Sequence, residues 1–328
     1  MTTRVLVTGA AGFIGEHLLA RLTAAGFEVH AFAHRTRPRT EVARVLQGDV
    51  RDEAALRAAL QGVEAVVHAA ALLDPITDQR AASEVNFRAS EELARLASEA
   101  KVGTFLFLSS IAALGFRSKA GLVRTDATCA PTTLYGKSKR DAEAALLAAS
   151  WAMRTIVVRP PTVYGPGERR NFLALVRAVD SGRMFIPGAG SNRMSTCHVD
   201  NLTHCIERLL IDRRAKGIVH VADEPTATFR ELVTAISSAL GRARPPVTLP
   251  LPLAAVVAEA TPVLARLVGV EPPLSPARLR TLTADFALDT RRTRELGISA
   301  PVTLQQGLRQ TIAWYRSAGL LTRSTRRE

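Results

Sequence analysis

Residues 4–15 read Arg-Val-Leu-Val-Thr-Gly-Ala-Ala-Gly-Phe-Ile-Gly, a short apolar run that leads directly into three spaced glycines. The apolar run predicts a buried strand, and residues 16–26 have the periodicity of an amphipathic helix. Gly9, Gly12 and Gly15 would then lie between strand and helix, where glycine permits a tight turn and lets backbone N–H groups approach a phosphate. The pattern predicts a dinucleotide-phosphate site; a turn needed only for packing is the alternative.

Strand-like and helix-like segments continue to alternate along the first half of the chain. The strand-like runs are apolar over their whole length, which is typical of strands buried on both faces, and they stand at 28–33, 65–70, 104–110 and 154–160. The helical patterns between them include 90–100 and 138–150. This alternation predicts an α/β protein with a doubly wound parallel sheet.

After residue 160 the alternation becomes less regular. Residues 217–223 still resemble a strand, and Thr228 and Glu231 have capping-box spacing for a helix that ends near Gly241. We therefore expect a dinucleotide-binding domain over 1–160. Residues 161–328 are expected to supply late sheet elements and a small mixed C-terminal lobe that binds substrate.

The composition is that of a folded protein. The chain has 328 residues, of which 47% are hydrophobic and 22% are charged, and this excludes a wholly disordered chain. Three cysteines, Cys129, Cys197 and Cys205, cannot form a disulfide framework or a four-ligand zinc site by themselves, so we expect reduced thiols and no metal. The N-terminus lacks the features of a signal peptide, so the expected location is the cytoplasm.

The net charge of +13 comes mostly from scattered arginines. Nucleic-acid binding normally requires a clustered basic stripe or a recognised motif, so we expect no nucleic-acid partner. A solvated basic surface is the favoured interpretation, and a polyanionic partner is the alternative. A positive field of this kind would also attract an anionic cofactor or substrate.

Residues 247–270 are long and apolar enough to raise the question of a membrane helix. Three prolines and two charged residues interrupt the segment, whereas crossing a bilayer takes about 20 consecutive apolar residues. We expect a packed amphipathic helix in the C-terminal lobe and no stable membrane insertion. A helix that lines an apolar substrate mouth is the second interpretation, and membrane contact is the third.

The end of the second strand indicates which nicotinamide cofactor is bound. An acidic residue at this place would hold the ribose 2′-hydroxyl of NAD, but the chain has His34 and Arg35 there, with Arg37 following. Cations at this place can pair with a 2′-phosphate, so NADP is favoured and NAD is the alternative. Asp49 and Val50, predicted to end the third strand, are suited to contact the adenine edge.

A candidate proton-transfer set follows further along the chain. Ser110 ends the strand-like run at 104–110, and Tyr135 and Lys139 share one face of a predicted helix because they are four residues apart. A free tyrosine has a pKa of about 10, and a nearby ammonium group lowers that pKa. Tyr135 could then exchange a proton with a substrate oxygen that Ser110 holds by a hydrogen bond.

Taken together, these motifs resemble the extended short-chain dehydrogenase/reductase superfamily, also called the NAD-dependent epimerase/dehydratase superfamily. The resemblance covers nearly the whole chain and rests on residues 8–15, His68-Ala69-Ala70, Ser109-Ser110, Tyr135-x-x-x-Lys139 and residues 159–166. It implies a Rossmann-type domain, a nicotinamide cofactor and Ser110, Tyr135 and Lys139 as the catalytic set, with Lys139 also on the nicotinamide ribose. It further implies that the cofactor is lined by Phe13, Ile14, Asp49, Val50, Ala69 and Pro160. Asn86 matches an asparagine common in the superfamily, either for structural support or for proton relay.

The resemblance also bears on the substrate. Nucleotide-sugar relatives tend to carry a diphosphate-binding arginine where this chain has Met194, and Arg193 stands one residue early. The chain is more similar to the 3β-hydroxysteroid dehydrogenase-like and dihydroflavonol reductase-like branch, which acts on alcohols or ketones of largely apolar small molecules.

We expect an NADP(H)-dependent oxidoreductase that acts on a steroid-like, polyketide-like or 3-oxo acid-like substrate. The alternatives are a nucleotide-sugar epimerase or dehydratase with tightly bound NAD and, third, a cofactor-sensing protein without turnover. The sequence does not determine the oligomeric state, although dimers are common among similar folds, so a homodimer is left open.

Overall fold

The computed structural model describes residues 2–73, 77–115, 121–242, 246–268 and 275–321, and within these the side chains of residues 262–268 and 277 are left undescribed. Residues 269–270 of the long apolar segment therefore lie outside the described residues.

Seven parallel strands form the main sheet. They are β1 (Arg4–Thr8), β2 (Glu28–Ala33), β3 (Arg44–Gln47), β4 (Ala65–His68), β5 (Thr104–Leu108), β7 (Arg154–Arg159) and β11 (Gly217–His220). Their order across the sheet is β11-β7-β5-β4-β1-β2-β3. All the pairings are parallel, for example Val5 with Val29 of β2 and with Ala65 of β4. The predicted strands are confirmed, and the one at 217–223 joins this sheet as its edge strand.

Helices cover both faces of the sheet and also build the lobe. They are α1 (Phe13–Ala24), α2 (Glu53–Ala59), α3 (Gln79–Ala82), α4 (Ala89–Glu99), α5 (Leu134–Ala148), α6 (Asn171–Asp180), α7 (Val199–Ile211), α8 (Phe229–Leu240), α9 (Leu251–Val268), α10 (Pro276–Thr283), α11 (Arg291–Glu295) and α12 (Leu304–Ser317). A π-helix at Ser83–Arg88 leads into α4, and a short 3₁₀ helix at Ile111–Ala113 follows β5.

Alternate residues of the strands point into two separate cores. Val5 and Val7 of β1 pack in a cluster with α1 and α7, whereas Leu6 between them packs with α2, α4 and α5 on the opposite face. The continuous apolar runs follow from this, because every side chain of an inner strand is buried on one face or the other. The doubly wound α/β prediction is confirmed.

The strand order reverses between β1 and β4. β1 pairs with β2 on one side and with β4 on the other, so the chain winds outward in both directions from this point. In open parallel sheets a reversal of this kind leaves a crevice beyond the carboxyl ends of the strands, where ligands bind. The fold therefore places the loops after β1, β4 and β5 around one crevice.

The predicted end of the third strand is wrong. β3 ends at Gln47, and Asp49 and Val50 lie in the turn that follows it. Gly48 lies so close to the Phe32 ring that a Cβ built on it would be 2.8 Å from that ring. The chain turns away from the sheet there, and Asp52 N–H donates to the Asp49 carbonyl at 3.0 Å.

The C-terminal lobe combines helices with short two-stranded parallel sheets. The remaining strands pair as β8 (Thr162–Tyr164) with β10 (Thr196–His198), β9 (Phe185–Pro187) with β12 (Val247–Leu249), and β6 (Leu122–Val123) with β13 (Ala287–Leu288). A separate core of α6, α8 and α12 side chains holds the lobe together. The capping box of Thr228 and Glu231 is confirmed, and α8 ends at Gly241 with φ of +76°.

The apolar segment forms β12 and then α9. Among the described residues, no helix combines the length and the apolar composition needed to cross a bilayer. The described side chains of α9 do not line the cleft that opens at the carboxyl edge of the main sheet. This does not favour the interpretation that the segment lines an apolar substrate mouth. α9 packs instead against α10 and β9 through Ala254 and Ala258.

Candidate active site

A cleft of about 740 Å³ opens at the carboxyl edge of the main sheet, above the ends of β1, β4, β5 and β7. Asp49, Val50, Asn86 and Arg37 lie outside its lining. Its walls bring together the other sequence-predicted residues, namely Gly9, Gly12, Phe13, Ile14, Gly15, His34, Arg35, Ala69, Ser110, Tyr135, Lys139 and Pro160.

The turn between β1 and α1 has room only for glycine at two positions. Gly9 has φ of +67°, and a Cβ built on it would lie 2.7 Å from the Ala70 nitrogen. A Cβ on Gly15 would lie 2.2 Å from the Gly9 carbonyl oxygen. α1 begins after Gly12, where no described side chain caps the helix. The first N–H groups of α1 therefore remain available to an anion at the cleft, as a bound pyrophosphate requires.

The rim of the cleft beyond β2 is cationic. His34 and Arg35 are both exposed, and no described residue accepts a hydrogen bond from the Arg35 guanidinium. His34 Nε2 lies 3.4 Å from Asp49 Oδ2, which keeps Asp49 near the rim. Arg51 donates two hydrogen bonds to the Asp49 carboxylate, at 3.0 and 2.7 Å, and lowers its pKa to about 2. The carboxylate next to this rim is thus already paired, and Arg35 has no ion-pair partner there among the residues that the structure describes.

Lys139 is the buried cation of the site. Its Nζ donates to the Leu108 carbonyl at 2.8 Å and lies 4.4 Å from the centre of the Phe107 ring and 6.0 Å from that of Tyr135. Burial lowers the pKa of Lys139 to about 7, although the nearby carboxylate of Glu143 acts in the opposite direction. Lys139 and Tyr135 thus share one face of α5, and Lys139 holds its proton weakly.

Ser110 lies at the carboxyl end of β5, at the same cleft as Tyr135. It begins the short 3₁₀ helix, and its Oγ accepts from the Ala112 N–H at 3.1 Å. A hydroxyl held through its oxygen in this way keeps its own proton available to a second acceptor. The cleft therefore presents a hydroxyl donor, a phenol and an ammonium group along its floor.

A buried ion pair lies beneath this floor. Glu143 stands one helical turn after Lys139 on α5 and accepts hydrogen bonds from Arg159 at 2.9 and 2.6 Å and from the Ser109 hydroxyl. Glu143 and Arg159 are each only 3% exposed. The pair ties the ends of β5 and β7 to α5. Ser110 and Pro160 follow these two strands in the chain, and Lys139 lies on α5. Glu143 is not among the residues predicted from the sequence, although its spacing of four residues from Lys139 was a usable signal.

Asn86 has a structural role in the described contacts. Its side-chain oxygen accepts from the Leu72 N–H at 2.7 Å, and its amide nitrogen donates to the Leu72 carbonyl at 2.9 Å and to the Ser138 hydroxyl at 3.1 Å. It is fully buried in the π-helix before α4. These contacts favour structural support over proton relay, because they fix the loop after β4 that forms one wall of the cleft.

The residues at the predicted diphosphate position are not among those that line the cleft. Arg193 pairs with Asp285 at 2.8 Å, and Met194 packs against the core of the lobe. The lining of the cleft includes Arg169, Arg170 and Phe286 instead. Sequence analysis missed these residues, because only the folding of the lobe over the sheet brings them to the cleft.

The described residues contain no group of three or more His, Cys, Asp or Glu side chains placed to hold a metal ion. Cys197 of β10 and Cys205 of α7 are buried in the apolar core on one face of the main sheet. Burial raises the pKa of both thiols, that of Cys205 to about 12, so they act as core residues.

Comparisons with known proteins agree with this geometry. A sequence model of the NAD-dependent epimerase/dehydratase family matches residues 5–222. The chain is 30% identical over 323 residues to UDP-glucose 4-epimerase of Vibrio cholerae, covering 95% of each chain. It is 30% identical over 340 residues to 3β-hydroxysteroid dehydrogenase/Δ5→4-isomerase of Mycobacterium tuberculosis, covering 96% of this chain and 90% of the relative.

Solved structures show the same fold. MoeE5 in complex with UDP-glucuronic acid and NAD superposes with a TM-score of 0.73 and 27% identity, covering 96% of this chain and 99% of that one. The resemblance to the extended short-chain dehydrogenase/reductase superfamily is confirmed. The family match over most of the chain, together with two relatives at 30% identity, establishes that this chain belongs to the NAD-dependent epimerase/dehydratase family and is an enzyme.

Proposed function

We propose that this enzyme is an NADP(H)-dependent reductase or dehydrogenase acting on a ketone or secondary alcohol of a largely apolar small molecule. The observation that carries the proposal is the convergence of Ser110, Tyr135 and Lys139 on one cleft. The apolar walls of that cleft support an apolar substrate, since Leu73, Ile111 and Phe286 all contribute to its lining.

The residues of the glycine turn fit a dinucleotide. Gly9 and Gly15 leave no room for a side chain where a pyrophosphate would approach, and the start of α1 offers uncapped N–H groups. Phe13, Ile14, Ala69 and Pro160 would line the cofactor, with Asp49 and Val50 near its adenine end. When bound, the nicotinamide gives or takes a hydride at the substrate carbon.

The chain's own residues handle the proton. Lys139 Nζ lies 6.0 Å from the centre of the Tyr135 ring, and in its protonated form it favours phenolate over phenol. In ketone reduction Tyr135 donates its proton to the substrate oxygen, and Ser110 orients that oxygen by a hydrogen bond. In the reverse direction Tyr135 accepts the proton.

Turnover of ketones tests this assignment. Purified enzyme is incubated with NADPH and a panel of apolar ketones and 3-oxo acids, and loss of reduced cofactor is followed. Tyr135→Phe should reduce turnover by about 10²-fold or more, since general acid catalysis contributes that much, while NADPH binding is retained. Full activity in Tyr135→Phe would overturn the mechanism.

The choice of NADP rests on Arg35. Its exposed guanidinium is free of described partners at the rim where a 2′-phosphate would lie, so Arg35→Ala should weaken NADPH binding and leave NADH binding almost unchanged. Charge-assisted hydrogen bonds are each worth about 1.5–3 kcal/mol, which corresponds to a loss of about ten- to hundredfold. Arg44→Ala, which removes an exposed arginine from the neighbouring strand β3, is the matched control. Equal losses for the two cofactors would favour NAD.

A nucleotide-sugar epimerase or dehydratase is the second candidate. It is supported by the likeness to UDP-glucose 4-epimerase and by Arg169 and Arg170, which line the cleft and could pair with a diphosphate. Purified protein of this kind would release bound NAD on denaturation and would interconvert UDP-sugars. Ketone reduction without either property would exclude it.

A further inference from the structure

α9 exposes large apolar side chains to solvent. Of the ten large apolar side chains that are exposed in the described part of the chain, five lie within residues 247–257. Val256 is the most exposed of those on α9, at 64%. The five are Val247, Leu251, Leu253, Val256 and Val257. Contiguous exposed apolar surface of this kind marks a site of interaction.

The helix is oriented opposite to an ordinary surface helix. A helix that packs on a core normally turns its large apolar residues inward. α9 buries the small residues Ala254 and Ala258, which contact Leu279 and its neighbours, and turns Leu253, Val256 and Val257 outward. The outward residues follow the i, i+3, i+4 spacing of one continuous stripe. Packing among the described residues therefore does not explain why these positions are apolar.

Three exposed arginines lie on, or next to, elements that adjoin α9 or β12. Arg280 is exposed on α10, the helix that packs against α9, and Arg183 is exposed just before β9, the partner strand of β12. Arg230 is fixed beside β12 by hydrogen bonds to the Ala189 carbonyl and the Thr248 hydroxyl. Among the described side chains of α9, Glu259 is the only acidic one.

The charge selects one occupant for this surface. A second copy of the chain would bring together two molecules that each carry a net charge of +13. An anionic bilayer offers apolar acyl chains to the stripe and negative headgroups to the arginines and to the positive protein as a whole. A helix that lies in the interface needs no membrane-spanning length, which agrees with the absence of such a helix among the described residues.

We propose that α9 is a peripheral docking surface for anionic lipid bilayers, with Leu251, Leu253, Val256 and Val257 entering the interface and the neighbouring arginines contacting lipid phosphates. The proposal is independent of the substrate and of the cofactor. It assigns to the C-terminal lobe an interaction with the membrane surface in addition to its place over the cleft.

Co-sedimentation with lipid vesicles tests the proposal on the full chain. The probes are vesicles of pure phosphatidylcholine and vesicles in which about a quarter of the lipid is phosphatidylglycerol. We expect binding to the anionic vesicles to be about tenfold tighter than to the neutral ones, and to weaken when the ionic strength rises from about 0.05 to 0.5 M. Absence of this preference would overturn the proposal.

Matched variants locate the surface. Val256→Ser/Val257→Ser removes two exposed apolar side chains from α9, and Leu147→Ser/Ile211→Ser removes two that are exposed elsewhere. We expect the α9 variant to lose most of its vesicle binding and the control variant to keep it. Equal binding by the two variants would overturn the proposal. A concentration-dependent dimer that only the α9 variant abolishes would also overturn it, since it would assign the face to a second copy.

Discussion

Replacing Glu143 by glutamine should destabilise the protein strongly. The substitution preserves the shape of the side chain but removes the negative charge that Arg159 contacts at 2.9 and 2.6 Å. Arg159 would keep the Thr125 carbonyl at 3.1 Å and the Cys129 sulfur at 3.5 Å, and neither of these partners is charged. Glu143→Gln therefore leaves a buried guanidinium without a counter-ion.

The magnitude follows from burial. Both side chains are 3% exposed, and breaking a buried pair by removing one partner costs about 3–5 kcal/mol. A second change, Arg159→Met in the Glu143→Gln background, removes the unpaired charge and should recover a large part of this loss, because the two residues are in direct contact and their effects are not additive.

The assay is urea-induced unfolding, followed by circular dichroism at neutral pH. Glu53→Gln is the control, since Glu53 forms an exposed ion pair with Arg57 at 2.7 Å on one face of α2, and such pairs contribute about 0–1 kcal/mol. The reasoning is refuted if Glu143→Gln costs no more than the control, or if adding Arg159→Met deepens the loss.

Three further outcomes can be measured. Burial lowers the pKa of His68 to about 3, so the unfolded chain binds the additional proton between about pH 6.5 and 3 and stability falls as the pH falls through that range. His68→Asn removes this group. Over that pH range, the free energy of unfolding of His68→Asn should fall with decreasing pH by about 1.4 kcal/mol per pH unit less than that of the wild type, as measured by urea titrations at several pH values. An unchanged slope would contradict this. Gly15→Ala should impair nicotinamide cofactor binding in fluorescence titrations and lower the melting temperature, because its Cβ would meet the Gly9 carbonyl oxygen at 2.2 Å. A Cβ built on Gly26 has nothing within 4 Å, so Gly26→Ala is the control that adds a methyl group without the steric contact. Equal cofactor affinity in the two variants would contradict the role of Gly15 in the phosphate-binding turn. Thr228→Ala should cost about 1 kcal/mol in urea unfolding by removing the cap of α8, and no loss would show that the capping box is dispensable.

Much of the fold could be predicted from local sequence patterns. Strands buried on both faces must be apolar throughout, so the run from Arg4 to Thr8 was recognisable without any knowledge of its neighbours. Tyr135 and Lys139 could be placed on one face because helical spacing is a local property. That the chain leaves the sheet after Gln47 could not be predicted, because the Phe32 ring that crowds Gly48 comes from the neighbouring strand.

The sequence by itself determined the alternation of strands and helices, the glycine turn and the order of the candidate catalytic residues, since each depends on neighbours within a few positions. Only the tertiary structure decided that Arg193 pairs with Asp285, 92 residues away, and that Glu143 meets Arg159 beneath the cleft. It also decided that α9 turns its large side chains outward. Such contacts join segments that are distant in the chain, and their partners are selected by the packing of whole elements rather than by local periodicity.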